Sequence, residues 1–149
     1  MARCLGEREG DAQRGREGGF TLIEMLVVVI VVGTLAAIAI PVFLTQRAKA
    51  HDASTRSDVA HVGKELATYF VDGTGTPSLD YASVPGSAVL SEGSYSVTIN
   101  LTNGTAVPGS GSSSNLGDPK AWCVSLTDRM GDIKDFRYSA DQGLEAGTC

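Results

Sequence analysis

The apolar residues of this chain are concentrated in one run near the amino terminus. Residues 25–40 contain no charged side chain, and the run continues through Leu44, which gives 20 residues before Gln46. As a helix, a run of this length measures about 30 Å, the thickness of the hydrocarbon core of a bilayer. Because a single strand in lipid leaves its backbone polar groups unpaired, we expect a membrane-spanning helix in spite of the many β-branched residues.

A second, sparser apolar pattern continues the same helix. After Arg47 the apolar residues recur at steps of three and four, and Asp52 and Asp58 lie largely off the stripe that they form. The pattern predicts an amphipathic helix that ends near Asp72, where Gly73 follows. We expect the stripe to pack beneath the rest of the chain. Its members are Val59, Val62, Leu66, Tyr69 and Phe70.

Alternation of apolar and polar residues in the second half of the chain predicts short strands. The clearest alternation covers residues 94–101, and shorter ones cover residues 122–126 and 136–138. Residues 74–86 and the Gly- and Ser-rich residues 103–119 are predicted loops, the second of them a mobile surface loop. These elements indicate an α+β fold in which a long N-terminal helix packs on a small antiparallel β-sheet head.

Charge separates the chain into a neutral beginning and an acidic remainder. The first 19 residues hold four arginines and four acids, so the whole formal charge of −5 lies after Gly19. An acidic head repels phosphate backbones, and no basic stripe with interleaved aromatic residues is present. The composition therefore disfavours nucleic acid as a partner.

The sequence also lacks the usual patterns of catalytic and metal sites. No G-x-S-x-G occurs, and the Gly/Ser segment at residues 109–117 lacks the lysine of a phosphate-binding loop. His51 and His61 lie ten residues apart without further ligands, which favours a solvated helix face. Asp128, Asp132 and Asp135 fail the spacing of a calcium loop and are expected to be solvated turn acids, with a calcium site as the weaker alternative. We expect neither enzymatic activity nor a cofactor.

The order of charged and apolar segments is the reverse of that in an ordinary secretory signal. Here the charged segment is followed directly by GGFTLIEM and only then by the apolar run. A protease that cuts between Gly19 and Phe20 would remove the hydrophilic leader and leave the apolar segment on the product. Small glycines before the cut let an extended backbone enter a narrow active site.

The segment GGFTLIEMLVVVIVVGTLAAIAIPVF resembles the class III signal of type IV pilins and pseudopilins. This resemblance implies that a prepilin peptidase cuts after Gly19 and methylates the new amino terminus, Phe20. It also implies that Glu24 is the fifth-position glutamate of the mature chain and that Pro41 is the proline that kinks the helix. The fold expected from the resemblance is a type IV pilin-like one.

Glu24 stands out even without the resemblance, because an unpaired carboxylate one turn into a membrane helix costs several kcal/mol. The family resemblance implies that the amine of Phe20 on a neighbouring subunit neutralises Glu24, so that only one axial offset between subunits satisfies the charge. The alternative is that Glu24 lies among lipid headgroups without a role. The apolar helix likewise has an alternative role as a plain single-pass anchor.

Four segments with different roles are expected on this interpretation. Residues 1–19 are a leader that is removed, residues 20–47 the transmembrane and assembly half of the helix, and residues 48–72 its amphipathic half. Residues 73–149 are the head, with a carboxy-terminal disulfide loop. If Cys4 is lost with the leader, Cys123 and Cys149 remain as a pair outside the cell, and their disulfide would contribute roughly 3 kcal/mol.

The expected function is that of a structural subunit of a type IV pilus, which forms a homo-oligomeric helical fibre. The expected partners are the prepilin peptidase, an assembly ATPase and a platform membrane protein. The chain would be a single-pass inner-membrane protein before assembly and part of an extracellular pilus afterwards. Two alternatives stay open: a minor pilin or type II secretion pseudopilin, and a membrane-tethered extracellular binding module that does not polymerise.

Overall fold

A computed structural model describes residues 19–81, 86–102, 105–106 and 113–149 of the chain. Most of the predicted leader and parts of the two predicted loops lie outside these residues. The chain divides into two compact units, Met1–Ile38 and Ala39–Cys149. The described part of the first unit is the beginning of one helix, and the second unit holds the rest of that helix and all of the strands.

The helix α1 spans Leu22–Asp72 and contains Pro41. Thr21 caps it, since its side-chain oxygen accepts a hydrogen bond from the backbone N–H of Glu24 at 3.3 Å. At the other end the N–H of Gly73 donates to the carbonyl of Tyr69 at 2.7 Å. The predicted continuation of the membrane helix to Asp72 is confirmed.

Eight strands in the described residues form two antiparallel sheets. One sheet has the order β1-β2-β3, and the other has the order β4-β6-β7-β8, with β5 paired to β6. The strands are β1 Ser78–Asp80, β2 Ser87–Glu92, β3 Tyr95–Asn100, β4 Thr105–Ala106, β5 Ser113–Ser114, β6 Cys123–Asp128, β7 Asp135–Ser139 and β8 Gly143–Ala146.

The core of the second unit lies between the amphipathic half of α1 and the two sheets. Val59, Val62 and Leu66 have no exposed surface, and Tyr69 is also buried. The predicted apolar stripe is thus confirmed as core and not as an outer surface. The strand residues buried with it are Ala88, Leu90, Ile99, Val124, Leu126 and Phe136.

Helix and sheet approach most closely at Gly63. A Cβ on this residue would overlap the ring of Tyr138 on β7. Tyr138 in turn stacks on Trp122, with ring centroids 5.9 Å apart and an interplanar angle of 5°. Trp122 also stacks on Phe70 of the helix, with centroids 6.4 Å apart. A row of aromatic rings therefore joins α1 to the second sheet, and the absent side chain of Gly63 makes room for it.

The structure corrects the predicted extent of the sheets. The expected loop at residues 74–86 contains β1, and the expected mobile loop at residues 103–119 contributes β4 and β5 to one edge of β6. The strands β2 and β8 were not predicted. In β2 three consecutive apolar residues replace strict alternation, and β8 has Leu144 as its one large apolar residue, so neither gives a period-two signal.

Candidate processing and assembly site

The predicted cleavage junction lies immediately before the helix. Gly19 and Phe20 have no regular secondary structure, and Phe20 is 74% exposed. No atom lies within 4 Å of the position that a Cβ on Gly19 would take. Irregular, exposed backbone beside a small residue is the form in which a protease binds its substrate. The geometry is therefore compatible with cleavage after Gly19, which stays a prediction.

Glu24 occupies the first turn of α1, where its backbone N–H is held by Thr21. Its side chain is exposed, and no ion pair joins it to another side chain in the part of the chain that the structure describes. The positive end of the helix dipole favours a carboxylate at this position. Phe20 lies four residues earlier, so an amine made there by cleavage would be about one helical turn from Glu24 of the same chain.

The apolar half of α1 exposes its large side chains on every side. An apolar surface of this extent marks contact with lipid or with other protein chains. Among the described residues, α1 is the one helix long and apolar enough to cross a membrane. The exposed side chains between residues 20 and 44 include Leu22, Ile23, Leu26, Val29, Ile30, Val32, Leu35, Ile38, Ile40 and Phe43.

The hydroxyls of two threonines in and beside this half are satisfied within the helix. The hydroxyl of Thr34 donates to the carbonyl of Val31 at 2.9 Å, and that of Thr45 donates to Val42 at 2.8 Å. Pro41 lies inside the helix and lacks an N–H, so it removes one helical hydrogen bond. A kink at Pro41 stays a prediction. Glu24 is the one charged residue in the otherwise apolar segment at residues 20–44.

A buried carboxylate that the sequence pattern missed lies just beyond the apolar half. The Asp52 carboxylate accepts hydrogen bonds from the backbone N–H groups of Asp132 at 3.2 Å, Ile133 at 3.0 Å and Lys134 at 3.1 Å. Burial raises the pKa of Asp52, but these bonds and the nearby His51 ring outweigh it, so the pKa lies below its ordinary value. The expectation that Asp52 lies off the packed face is wrong, because it fastens α1 to the β6–β7 loop.

His51 and Asp128 form a second connection between the same two elements. His51 Nδ1 lies 2.8 Å from Asp128 Oδ2, and the Asp128 side chain is fully buried. The other Asp128 oxygen accepts the N–H of Met130 at 2.9 Å. Both residues were expected to be solvated, and the structure corrects this for Asp128 and in part for His51. The chain folds back so that residues 77 positions apart meet, which no local spacing reveals.

Asp58 forms a third connection, again buried. Its carboxylate accepts the backbone N–H of Thr102 at 2.7 Å and the Thr102 hydroxyl at 3.0 Å, just beyond β3. No group of three or more His, Cys, Asp or Glu residues suited to a metal ion occurs within the described ranges. Asp52 and Asp58 are thus engaged with backbone and hydroxyl donors of the head.

The cysteines of the head are joined. Cys123, the first residue of β6, forms a disulfide with Cys149, with the two Cα atoms 5.8 Å apart. The bond spans a sequence separation of 26 residues and ties the carboxy-terminal residue to the central strand of its sheet.

Comparison with known proteins assigns the amino-terminal segment. The family of the prokaryotic N-terminal methylation motif matches residues 14–40, which include the glycine pair, Phe20 and Glu24. The amino-terminal part of the chain is thus similar to that of pilins and pseudopilins. Its long helix packed on small antiparallel sheets agrees with the layout predicted for this family.

The relatives that the chain matches belong to two kinds of assembly. The type II secretion system core protein G of Pseudomonas aeruginosa is 35% identical over 66 residues, which cover 44% of this chain and 46% of that protein. The type IV narrow pilus major component PilA5 of Thermus thermophilus is 37% identical over 65 residues, which cover 44% of this chain and 56% of that protein. The chain therefore spans about half the length of these curated relatives. No solved structure gives a significant match.

Proposed function

We propose that this pilin-like chain is a structural subunit of a type IV pilus and polymerises through its N-terminal helix after removal of residues 1–19. One observation carries the proposal: Glu24 stands, exposed, in the first turn of an apolar helix, directly after a glycine–phenylalanine junction. A plain anchor has no need of a carboxylate at this depth, where it is costly. A subunit that makes a new amine four residues away does have a use for it.

Assembly on this proposal has three steps. The precursor is held in the inner membrane with its leader in the cytoplasm and its head outside. The prepilin peptidase cuts after Gly19 and methylates Phe20. The helix then moves from lipid into a bundle of identical helices, a transfer that gains little from the hydrophobic effect because both surroundings are apolar. The direction of this transfer must therefore come from packing and from an external motor. The motor is the proposed role of an assembly ATPase and a platform membrane protein.

Glu24 sets the register in this scheme. Its carboxylate pairs with the Phe20 amine of a neighbouring subunit, and breaking a buried pair by removing one partner costs about 3–5 kcal/mol. A subunit inserted one turn too high or too low would bury both charges unpaired. The pair therefore selects one axial offset among the many that apolar side chains alone would permit.

A second candidate is a pseudopilin of a type II secretion system, and the names of several relatives favour it. Both candidates share the same processing and the same helix-driven assembly. They differ in what a deletion strain loses: long surface fibres for a pilin, and release of secreted enzymes for a pseudopilin. A minor pilin at the fibre tip and a tethered binding module that stays in the membrane are the remaining alternatives.

Replacing the carboxylate tests the proposal. With Glu24→Ala we expect normal cleavage and membrane insertion, and at least a tenfold loss from sheared surface fibres, since the lost pair is worth more than 1.4 kcal/mol. The matched control is Glu65→Ala, which removes an acid from the amphipathic half of the same helix. Immunoblots of sheared and membrane fractions measure both variants. Equal amounts of Glu24→Ala and wild type in the fibres would contradict the proposed role of Glu24 in assembly, and absence of the wild-type chain itself from the fibres would favour the tethered module.

A further inference from the structure

The loop at residues 129–134, between β6 and β7, is fixed in place yet presents apolar side chains to solvent. Asp52 holds three of its backbone N–H groups, and Asp128 holds a fourth. Even so, Met130 is 60% exposed and Ile133 is 54% exposed. Because the backbone of the loop is tied down at these points, its two apolar side chains stay directed to solvent and are available for contact.

The backbone of this loop is held in an unfavourable conformation. Lys134 has a φ of 74°, which is rare for a residue with a side chain. Its N–H donates to Asp52, and its carbonyl accepts the N–H of Asp128 at 2.9 Å. A Cβ on Gly131 would overlap the Asp52 carboxylate, so only glycine lets the loop approach it. The loop is therefore a rigid platform for its exposed side chains.

This platform lies where the apolar run of α1 ends. Met130 lines a shallow pocket of about 240 Å³ together with Leu44, Arg47, Ala48 and His51. Leu44 is the last residue of the apolar run, and Arg47 is the first charged residue after it. When the run spans a bilayer, the polar headgroups must lie at this level. The exposed loop is then at the depth of the headgroups.

Most of the exposed charges beside this loop are positive. Arg129 and Lys134 are exposed on the loop, and Arg47 is exposed on the helix beside Met130. Of the nearby acids, Asp52 and Asp128 are buried and engaged, Asp135 is partly buried and accepts the Thr127 hydroxyl, and Asp132 is exposed. The chain after Gly19 carries a net charge of −5, so this cationic surface differs from the remainder of the head. Apolar side chains interleaved with basic ones are the pattern that binds anionic membrane surfaces.

We propose that residues 129–134 form a second membrane contact, in which Met130 and Ile133 enter the headgroup layer and the neighbouring basic side chains bind anionic phospholipid. The contact rests on the proposed membrane insertion of α1 and concerns the subunit before assembly. It would hold the base of the head against the bilayer, in addition to the helix, and would have to be released when the subunit is extracted into a fibre.

Spin labels on the full-length chain in vesicles test this contact. The label is placed at Ile133→Cys in a Cys4→Ser background, since the other two cysteines are joined in a disulfide. Vesicles of phosphatidylcholine are compared with vesicles that also contain phosphatidylglycerol. Accessibility to oxygen reports lipid, and accessibility to a water-soluble nickel chelate reports water. A label at Thr98→Cys, exposed on β3, is the aqueous control, and one at Leu35→Cys is the membrane control.

We expect the label at residue 133 to become rich in oxygen contacts and poor in nickel contacts when phosphatidylglycerol is present. Replacing Arg129 and Lys134 together by Gln should reduce the ratio of lipid-bound to water-exposed label by roughly fivefold for each charge. The contact would be overturned if, in both kinds of vesicle, the label at residue 133 were as accessible to nickel as the label at residue 98. The contact would also be overturned if protection of the label from nickel rose with the number of protein chains per vesicle and not with phosphatidylglycerol. The loop would then be covered by a second copy of the chain and not by lipid. A water-exposed label at residue 35 would instead refute membrane insertion itself, and with it both proposals.

Discussion

Carboxylates along one helix have different roles because their surroundings differ. Glu24 lies exposed in the apolar half, where only the helix dipole and an outside cation can compensate its charge. Asp52 and Asp58 are buried in the second unit, where backbone N–H groups and a hydroxyl satisfy them. A charge-assisted hydrogen bond of this kind is worth about 1.5–3 kcal/mol. The first acid is thus available for association, and the other two stabilise the head.

The Asp52 carboxylate gives a prediction for stability and its pH dependence. Its pKa is lower in the folded chain than in the unfolded one, so its contribution is fully present above the unfolded pKa and disappears as the pH falls through the folded pKa. At neutral pH, Asp52→Asn should lower the free energy of unfolding by about 1.5–3 kcal/mol and flatten its acid dependence. Denaturant titration in detergent, followed by the fluorescence of the buried Trp122, measures both effects.

The control for this prediction lies in the same loop. Asp132 is exposed, and it uses its backbone N–H, not its side chain, to reach Asp52. Asp132→Asn should therefore leave the free energy of unfolding nearly unchanged. Similar losses in the two variants would mean that the loop responds to charge in general and not to the hydrogen bonds of Asp52.

At the scale of elements, the amphipathic half of α1 is held to the sheets by close packing. Gly63 permits the approach of Tyr138, whose ring extends the stack of Trp122 and Phe70. Alanine is normally the better helix former by about 1 kcal/mol. The glycine at this position therefore lowers the helix propensity of α1 but permits the contact with the Tyr138 ring.

Substitution of Gly63 by alanine weighs the close packing with Tyr138 against the gain in helix propensity. Gly63→Ala should destabilise the chain by about 1–3 kcal/mol, because overpacking against the Tyr138 ring outweighs the gain in helix propensity. Gly33→Ala is the matched control, since no atom lies within 4 Å of its added Cβ. Thermal unfolding followed by near-ultraviolet circular dichroism compares the two. A Gly63→Ala chain as stable as Gly33→Ala would show that the helix can move away from the sheet without loss.

The sequence predicted the elements whose pattern is local. The helix was predictable because its apolar run and stripe extend over many turns, and β3 was predictable because apolar and polar residues alternate throughout it. The strands β4 and β5 have two residues each and form only by pairing with β6, so nothing in their own sequence marks them. The contacts of Asp52 with residues 132–134 were unpredictable for the same reason, since the partners lie about 80 positions away.

At the scale of the whole molecule, two chemically distinct parts suit two environments. Residues 20–44 are apolar around the helix and require lipid or other chains, and the second unit has its own core, a disulfide and an acidic surface. The transition between them is the level of Leu44 and Arg47, where the proposed loop contact lies. This division suits the proposed storage of the subunit in a membrane with its folded head outside.

The most direct test of this account is the mass of the amino terminus in fibres sheared from cells. If the chain is processed and assembled through its helix, fibre material should begin at Phe20 and carry one added methyl group, and the unprocessed precursor should remain in the membrane fraction. Fibre-free material that begins at Met1 and persists as a monomer in lipid would contradict the account.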